Sequence, residues 1–349
     1  MSNTELAILG GGIIGLLFGM VGQRSGFCLM RGLEHAWVQN DGRKLRAFAT
    51  AMAVALLLTQ VLNAVTDLDL TGALYLQPTM SWLLVPVGGV MFGLGMVLAN
   101  GCGARALVLL GQGNLRSLVV LLVLGLTAYM TLSGVLAPLR LWLEGLTTIR
   151  LPARSLPLWF SQVGVSVSIA TAVMTLLLAG GLVLWAFQSR TFRQAKTELA
   201  SGVIIGVLVA AGWWVTGVLA ADIFTPVRLA SLTFVAPIGD SVQYLMISTG
   251  MNANFGISVV GGMIAGSLFM ALITGTFQWE SYSSPQHMRR SVSGAVLMGC
   301  GGVLALGCSI GQGLTGFSTL ALTSFVAIGA IVFGAWLGLK GPLRSYVRS

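Results

Sequence analysis

The sequence predicts an all-α membrane protein that crosses the bilayer many times. Of its 349 residues, 56% are hydrophobic and only 8% are charged, whereas about a quarter of a soluble domain is charged. The mean hydropathy is +0.89, and several stretches reach the ~20 apolar residues needed to cross a bilayer. The N-terminus, MSNTELAILGGG, lacks the basic segment and cleavage site of a signal peptide, so we expect the first span to be retained.

Nine transmembrane spans are expected, and their odd number places the two termini on opposite sides. The spans cover 5–22, 46–66, 80–99, 115–137, 161–187, 199–221, 255–277, 292–306 and 319–339. With the N-terminus outside, only four of the 19 Lys and Arg residues lie outside, namely Arg140, Arg150, Arg154 and Arg228. Because basic loops stay in the cytoplasm, we expect a periplasmic N-terminus and a cytoplasmic C-terminus.

The charged and reactive residues exclude several classes of function. The net charge of +9 comes from residues scattered at the ends of apolar runs, which indicates membrane topology rather than nucleic-acid binding. The four cysteines form no CxxC pair, and the two histidines lie without clustered carboxylates, so no metal site is expected. The chain also has no GxxxxGKS/T loop, so we do not expect it to be an ATPase. We expect neither an enzyme nor a bound cofactor.

An internal repeat is the main long-range pattern. Residues 88–103, GGVMFGLGMVLANGCG, match 294–309, GAVLMGCGGVLALGCS, at a constant offset of 206 with nine identities. A weaker match aligns 11–28 with 202–219 and puts Leu219 opposite Cys28. We therefore expect one transmembrane domain, 1–349, with a first repeat at 1–140, a linking span at 161–187 and a second repeat at 199–340. One linking span inverts the second repeat, as in many transporters.

The repeated cysteines lie in Gly-rich segments that are too poor in charge for a water-exposed loop. Backbone of this kind is tolerated within the membrane only where protein or water surrounds it. We expect two re-entrant loops that enter from opposite faces and bring Cys102 and Cys308 together near the midplane. Cys28, in GQRSGFCLMRG, would form a third station nearer the cytoplasm. Cys300 aligns with Leu94 and is expected only to pack.

Other residues of these segments are expected to support the loops. Free N–H groups at the helix starts that follow each loop would attract an anion. Arg24 and Arg31 are interpreted as topological anchors, and Trp213 and Trp214 as core or interface aromatics. The supporting loop residues are Gly101, Gly103, Arg105, Gln112, Gly307, Ser309, Gln312 and Gly313.

The cysteine segments resemble the YeeE/YedE family of bacterial inner-membrane proteins. The matching stretches are RSGFCLMRG, LANGCGARALVLLGQGNLRSLVV and LALGCSIGQGLTGFSTLAL, within a similarity that spans nearly the whole chain. The three characteristic cysteines of the family fall on Cys28, Cys102 and Cys308. The resemblance implies thiosulfate uptake into the cytoplasm through a narrow cysteine-lined path. It also implies a small sulfurtransferase-like protein as cytoplasmic partner.

Transport by weak contacts with protonated thiols is the expected mechanism. Thiosulfate is a dianion, which a thiolate would repel, while a neutral S–H is a weak donor. Weak binding suits permeation, because each site must also release its ion. Three alternatives stay open: a transporter of another sulfur or selenium species, a general anion or neutral-solute channel, and a membrane thiol oxidoreductase. The last would normally carry a paired CxxC.

Overall fold

The computed structural model describes residues 2–66, 68–162, 164–221 and 227–343, and it is built almost wholly of helices. The long helices are α1 (Asn3–Ser25), α3 (Arg43–Val65), α4 (Leu84–Leu98), α6 (Leu115–Leu132), α9 (Val167–Phe187), α11 (Lys196–Trp214), α13 (Phe255–Ile273), α14 (Pro285–Leu304) and α15 (Leu322–Leu339). The shorter helices are α2 (Leu29–Val38), α5 (Gly103–Gly111), α7 (Ala137–Thr147), α8 (Leu156–Ser161), α10 (Arg190–Gln194) and α12 (Val235–Ile247). Strands β1 (Thr79–Ser81) and β2 (Thr148–Arg150) pair antiparallel, with Thr79 opposite Arg150.

Each predicted span lies on one of the nine long helices, and the protein is a multi-pass membrane protein. Within the described ranges, eight segments are long and apolar enough to cross a bilayer. Two of them join a long helix to the short one after it, namely Asn3–Val38 and Leu84–Gly111. Helix α14 is not among the eight, since its first half is polar and carries Arg289 and Arg290. The number of nine crossings therefore stays a prediction.

Capping residues explain two of the differences from the predicted span limits. Helix α14 begins before the apolar run at 292, because the Ser284 side chain accepts the His287 N–H at 3.2 Å and Pro285 fills the first helical position. Helix α9 begins later than the predicted 161, after Ser166, whose hydroxyl accepts the Ile169 N–H. Hydropathy locates the apolar run, but the cap decides where the helix starts.

Helices α4 and α14 pack against each other backbone to backbone. A Cβ atom on Gly88 would lie 2.8 Å from the Gly301 carbonyl oxygen, and one on Gly95 would lie 2.6 Å from the Gly294 oxygen. Such contacts leave no room for any side chain. Small residues at these crossings let membrane helices approach closely, which is a main source of association in lipid.

Most of the other long helices also pack in pairs through glycine. Helix α4 packs on α15, where a Cβ on Gly93 would lie 2.2 Å from the Ile331 oxygen, and α14 packs on α6 through Gly299. Helix α1 packs on α13 through Gly15, while α11 packs on α3 through Gly206. Helix α9 lies outside these pairs against α3 and exposes large apolar side chains, Leu176, Leu177 and Leu184 among them, as a lipid-facing helix does.

Candidate functional site

Each of the three predicted cysteines directly precedes a helix. Cys28 is the N-cap of α2, and Cys102 is the N-cap of α5. Cys308 precedes a short helix, 309–318, whose turns over Gly311–Gly316 have π geometry. The first N–H groups of a helix have no partner within it. Three thiols therefore lie where backbone donors are also available.

The segments before Cys102 and Cys308 have the same backbone structure. The N–H of Gly101 donates to the Met96 oxygen at 2.8 Å, and the N–H of Gly307 donates to the Gly302 oxygen at the same distance. Asn100 and Leu306 occupy the left-handed region with φ of 57° and 58°. Gly101 corresponds to Gly307, Met96 to Gly302 and Asn100 to Leu306, each at the repeat offset of 206 residues.

The sulfur atoms of Cys28 and Cys102 lie 4.0 Å apart. Both side chains are buried, and all four cysteines are free. A disulfide would need about 2.05 Å between the sulfurs, so this is a contact between thiols. Cys28 therefore sits beside Cys102 rather than at a separate station.

Cys308 belongs to the other loop and is held by its own helix. Its sulfur accepts the Gly311 N–H at 3.3 Å. It lies within electrostatic range of Cys102. Cys300 lies half-buried on α14 and is not one of the thiols at the helix starts.

Helix α5 leads from the middle of the bundle toward one end. Gly103, at its start, packs against Leu124 near the middle of α6 and against Ile238 of α12. Gln112, just past its end, donates to the Thr276 oxygen at 3.1 Å, beyond the end of α13. Cys102 thus lies near half depth, whereas Gln112 is at the far end of the helix from the thiols.

Arg105 is a buried cation one turn into α5, only 7% exposed. Its Nη1 donates to the Gly22 oxygen at the long distance of 3.5 Å, and its Nε has no partner among the residues that the structure describes. The aliphatic part of the side chain crosses Gly101, where a Cβ would lie 3.1 Å from the Arg105 Cγ. The charge of Arg105 acts on both Cys28 and Cys102.

The predicted residues of the second loop divide into two groups. Gln312 is structural, because its amide donates to the Ala305 oxygen at 2.6 Å and its oxygen accepts from Ser324 at 2.7 Å. Gly313 lies against Phe48 and Ile328. Ser309, by contrast, is fully buried with an unpaired hydroxyl next to Cys308. It is therefore the free donor of this loop.

Two residues near Cys308 were missed by reading the sequence. A Cβ on Gly311 would meet the Thr233 hydroxyl at 2.8 Å and the Tyr75 hydroxyl at 3.1 Å. Tyr75 lies in the connection between α3 and α4, and Thr233 lies just before α12. Neither belongs to a cysteine segment, so no local pattern points to them. The signal available was Gly311 itself, which replaces Arg105 in the repeat.

The tryptophans of α11 have different surroundings. Trp213 is fully buried and donates from Nε1 to the Ser318 hydroxyl at 3.1 Å, so it ties α11 to the second loop. Trp214 is 43% exposed. The two tryptophans were predicted to be core or interface aromatics. Trp213 lies in the core and Trp214 lies at its surface.

Comparison with known families identifies the chain. A family model described as sulphur transport matches residues 24–337, which include all three loop cysteines. The chain belongs to this sulphur-transport (YeeE/YedE) family. It is 28% identical over 332 residues to the thiosulfate transporter TsuA of Spirochaeta thermophila, covering 93% of this chain and 96% of that one. It is 27% identical over 344 residues to the thiosulfate transporter TsuA of Escherichia coli, covering 94% and 93%.

Proposed function

We propose that this YeeE/YedE-family protein takes up thiosulfate from the periplasm into the cytoplasm. The observation that carries the proposal is the set of three buried, free thiols at helix starts, in a chain that aligns over nearly its full length with two thiosulfate transporters. The bilayer concerned is the bacterial inner membrane. A small sulfurtransferase-like protein in the cytoplasm would consume the sulfur delivered there.

The path runs past Cys308, then past Cys102 and Cys28. Protonated thiols, backbone N–H groups and the Ser309 hydroxyl are donors that replace part of the hydration of the anion. Each is individually weak, so the anion is bound at every step and still released. The 4.0 Å separation of the Cys28 and Cys102 sulfurs lets both donors contact one anion at once.

An inverted repeat generates this path, with copies at 1–140 and 199–340 joined by 161–187. In support, Gly88 faces Gly301 and Gly95 faces Gly294, the reciprocal contacts that a twofold axis between α4 and α14 would produce. The packing of α4 on α15 likewise corresponds to that of α14 on α6. Re-entrant loops related by this axis would enter the membrane from opposite sides.

The N-terminus lies in the periplasm and the C-terminus in the cytoplasm, with nine crossings. In support, helix ends predicted to be cytoplasmic contact one another. Arg46 donates to the Trp185 oxygen at 2.7 Å, Arg116 pairs with Glu280 at 3.1 Å, and Gln23 donates to the Thr276 hydroxyl at 3.2 Å. These cations therefore collect at one end of the helix bundle, as the positive-inside rule requires.

The competing function is a membrane thiol oxidoreductase, for which the Cys28–Cys102 pair would be the redox couple. Both side chains are at least 97% buried, at 3% and 2% exposure. A protein thiol cannot reach sulfurs buried to this degree, whereas a small anion can. The geometry thus favours transport of a small solute.

Uptake of labelled thiosulfate in bacteria without other uptake routes tests the proposal. Alanine variants of Cys28, Cys102 and Cys308 are compared with the wild type at matched membrane expression. We expect each to lose most of its uptake, because each removes a donor from a single-file path. Cys300→Ala is the matched control, since this cysteine lies apart on α14, and it should retain wild-type uptake.

Other outcomes separate the alternatives. Absence of uptake by the wild type would refute thiosulfate as substrate, and competition with other sulfur and selenium oxyanions would then identify the species carried. Full uptake by all four variants would refute the cysteine path. A thiol–quinone oxidoreductase would instead show reduction of an added quinone by dithiol, dependent on Cys28 and Cys102.

A further inference from the structure

A second feature beside the paired thiols is a group of cations without counter-ions. Arg105 is 93% buried, since 7% of it is exposed, and its Nε is unpartnered. Burying an unpaired charge costs several kcal/mol. A fold retains such a group when something outside the chain supplies the missing partner.

Two further cations converge on the same place from other helices. A Cβ on Gly26 would lie 3.9 Å from the Arg31 Nη1 and also 3.9 Å from the Lys44 Nζ. Gly26 has a left-handed φ of 64° and precedes Cys28 by two residues. Arg31 comes from α2 and Lys44 from α3, and the charges of both act on Arg105.

The acidic side chains nearby do not neutralise this cluster. In the part of the chain that the structure describes, the ion pairs of 4.0 Å or less are Arg43–Asp41, Arg116–Glu280 and Arg140–Glu144. Asp41 is held by Arg43, whose hydrogen bonds lower the pKa of its carboxyl to about 2. Glu198 acts on Lys44 only from beyond ion-pair distance.

The second loop lacks this feature. The counterpart of Arg105 is Gly311, whose surroundings are the neutral hydroxyls of Tyr75 and Thr233. Loops with the same backbone thus differ in charge at the equivalent position. The buried cation at this position is found in the Cys102 loop, while the cation within electrostatic range of Tyr75 beside the second loop is the exposed Arg228, so the common fold of the loops does not require Arg105.

We propose that Arg31, Lys44 and Arg105 form a binding site for a doubly charged sulfur oxyanion beside Cys28 and Cys102. The anion bridges the three cations and accepts the free Nε–H of Arg105. This site rests on the proposed function. It adds to that function a position on the transport path that selects doubly charged anions. Arg31 is then a ligand, not only a topological anchor.

Thiosulfate binding to the purified full-length protein tests the site separately from transport. The dissociation constant is measured calorimetrically at constant ionic strength for the wild type, Arg105→Gln, Arg31→Gln and Lys44→Gln. We expect it to rise about tenfold or more for Arg105→Gln, since this change removes a charged hydrogen bond to the anion. Arg116→Gln removes a cation already paired with Glu280 and should leave the constant unchanged.

Arg105→Lys keeps the proposal testable if Arg105→Gln fails to fold. It retains the charge but loses the planar fork, so we expect intermediate affinity. Unchanged affinity in the Arg105, Arg31 and Lys44 variants would overturn the cation site while leaving thiosulfate uptake standing. Binding of sulfate but not thiosulfate, with the same dependence on Arg105, would support the site and refute the proposed substrate. A wild type that binds neither dianion would overturn the site.

Discussion

At the scale of single residues, the contact between Cys28 and Cys102 joins the starts of two helices, α2 and α5. The repeat matched Cys102 to Cys308 and so favoured those two as neighbours. The 4.0 Å contact joins a first-loop cysteine to Cys28, which has no cysteine counterpart in the second repeat. Symmetry predicts which residues are equivalent, and the meeting of Cys102 with Cys308 stays a prediction.

Mild oxidation should link Cys28 to Cys102. Iodine would remove two electrons and two protons from the thiols, giving one disulfide, two iodide ions and two protons. The sulfurs need to approach by only about 2 Å to reach bonding distance. We expect uptake to stop and to return after dithiothreitol, with the linked peptides identified by mass spectrometry.

The Cys308→Ser variant is the control for this crosslink and should still form it, whereas Cys28→Ser should not. Linkage of Cys102 to Cys308 in the wild type would contradict the observed contact. It would instead favour the arrangement that the repeat alone predicted.

At the scale of helices, glycine decides how the chain packs. Hydropathy located the long helices, because each contains an apolar run that is evident in the sequence alone. Which helices pack together depends on where their backbones approach closely. A glycine in the sequence does not show which helix it will contact. Gly93 and Gly329 look alike in the sequence, yet the first lies against Ile331 and the second faces open space.

Gly93→Ala should therefore destabilise the protein. Its Cβ would lie 2.2 Å from the Ile331 oxygen, a backbone atom that cannot rotate away. We expect the free energy of unfolding to fall by about 1–3 kcal/mol, as for other overpacked cores. Thermal unfolding in detergent measures the change.

Gly329→Ala, on the helix that Gly93 contacts, is the matched control. Because no atom of the described residues lies within 4 Å of its new Cβ, we expect stability unchanged or raised by up to about 1 kcal/mol through helix propensity. Equal melting temperatures for the two variants would show that α4 and α15 are not in backbone contact.

Helix starts after the two Gly-rich loops were expected, but the limits of these short helices and the presence of α2 after Cys28 were not predicted, for a related reason. Helices α2 and α5 and residues 309–318 have ten residues or fewer, too few for a hydropathy window. The sequence did predict that the segments around Cys102 and Cys308 are unusual, since they are rich in glycine and poor in charge. Arg105 was included among the loop residues, whereas Lys44, Tyr75 and Thr233 come from distant segments and only folding brings them near.

At the scale of the whole molecule, orientation in the bilayer follows from the distribution of charge. A fluorescent protein fused after the C-terminus should fold and fluoresce, because that end is expected in the cytoplasm. Alkaline phosphatase inserted near Gly145, whose surroundings are open, should be active because it is expected in the periplasm. The reverse result for both reporters would invert the orientation.

The cation cluster at Arg105 also bears on the cost of moving charge across a polarised membrane. A cell interior held at about −100 mV opposes entry of each negative charge by ~2.3 kcal/mol, so a dianion meets roughly twice that. The positive charges of Arg31, Lys44 and Arg105 lower the energy of the anion beside Cys28, where the opposing electrical energy has built up. They do not change the total electrical work. On the proposed route they shift it to the last step, release of the anion from Arg31, Lys44 and Arg105, and we expect that release to limit the rate of import.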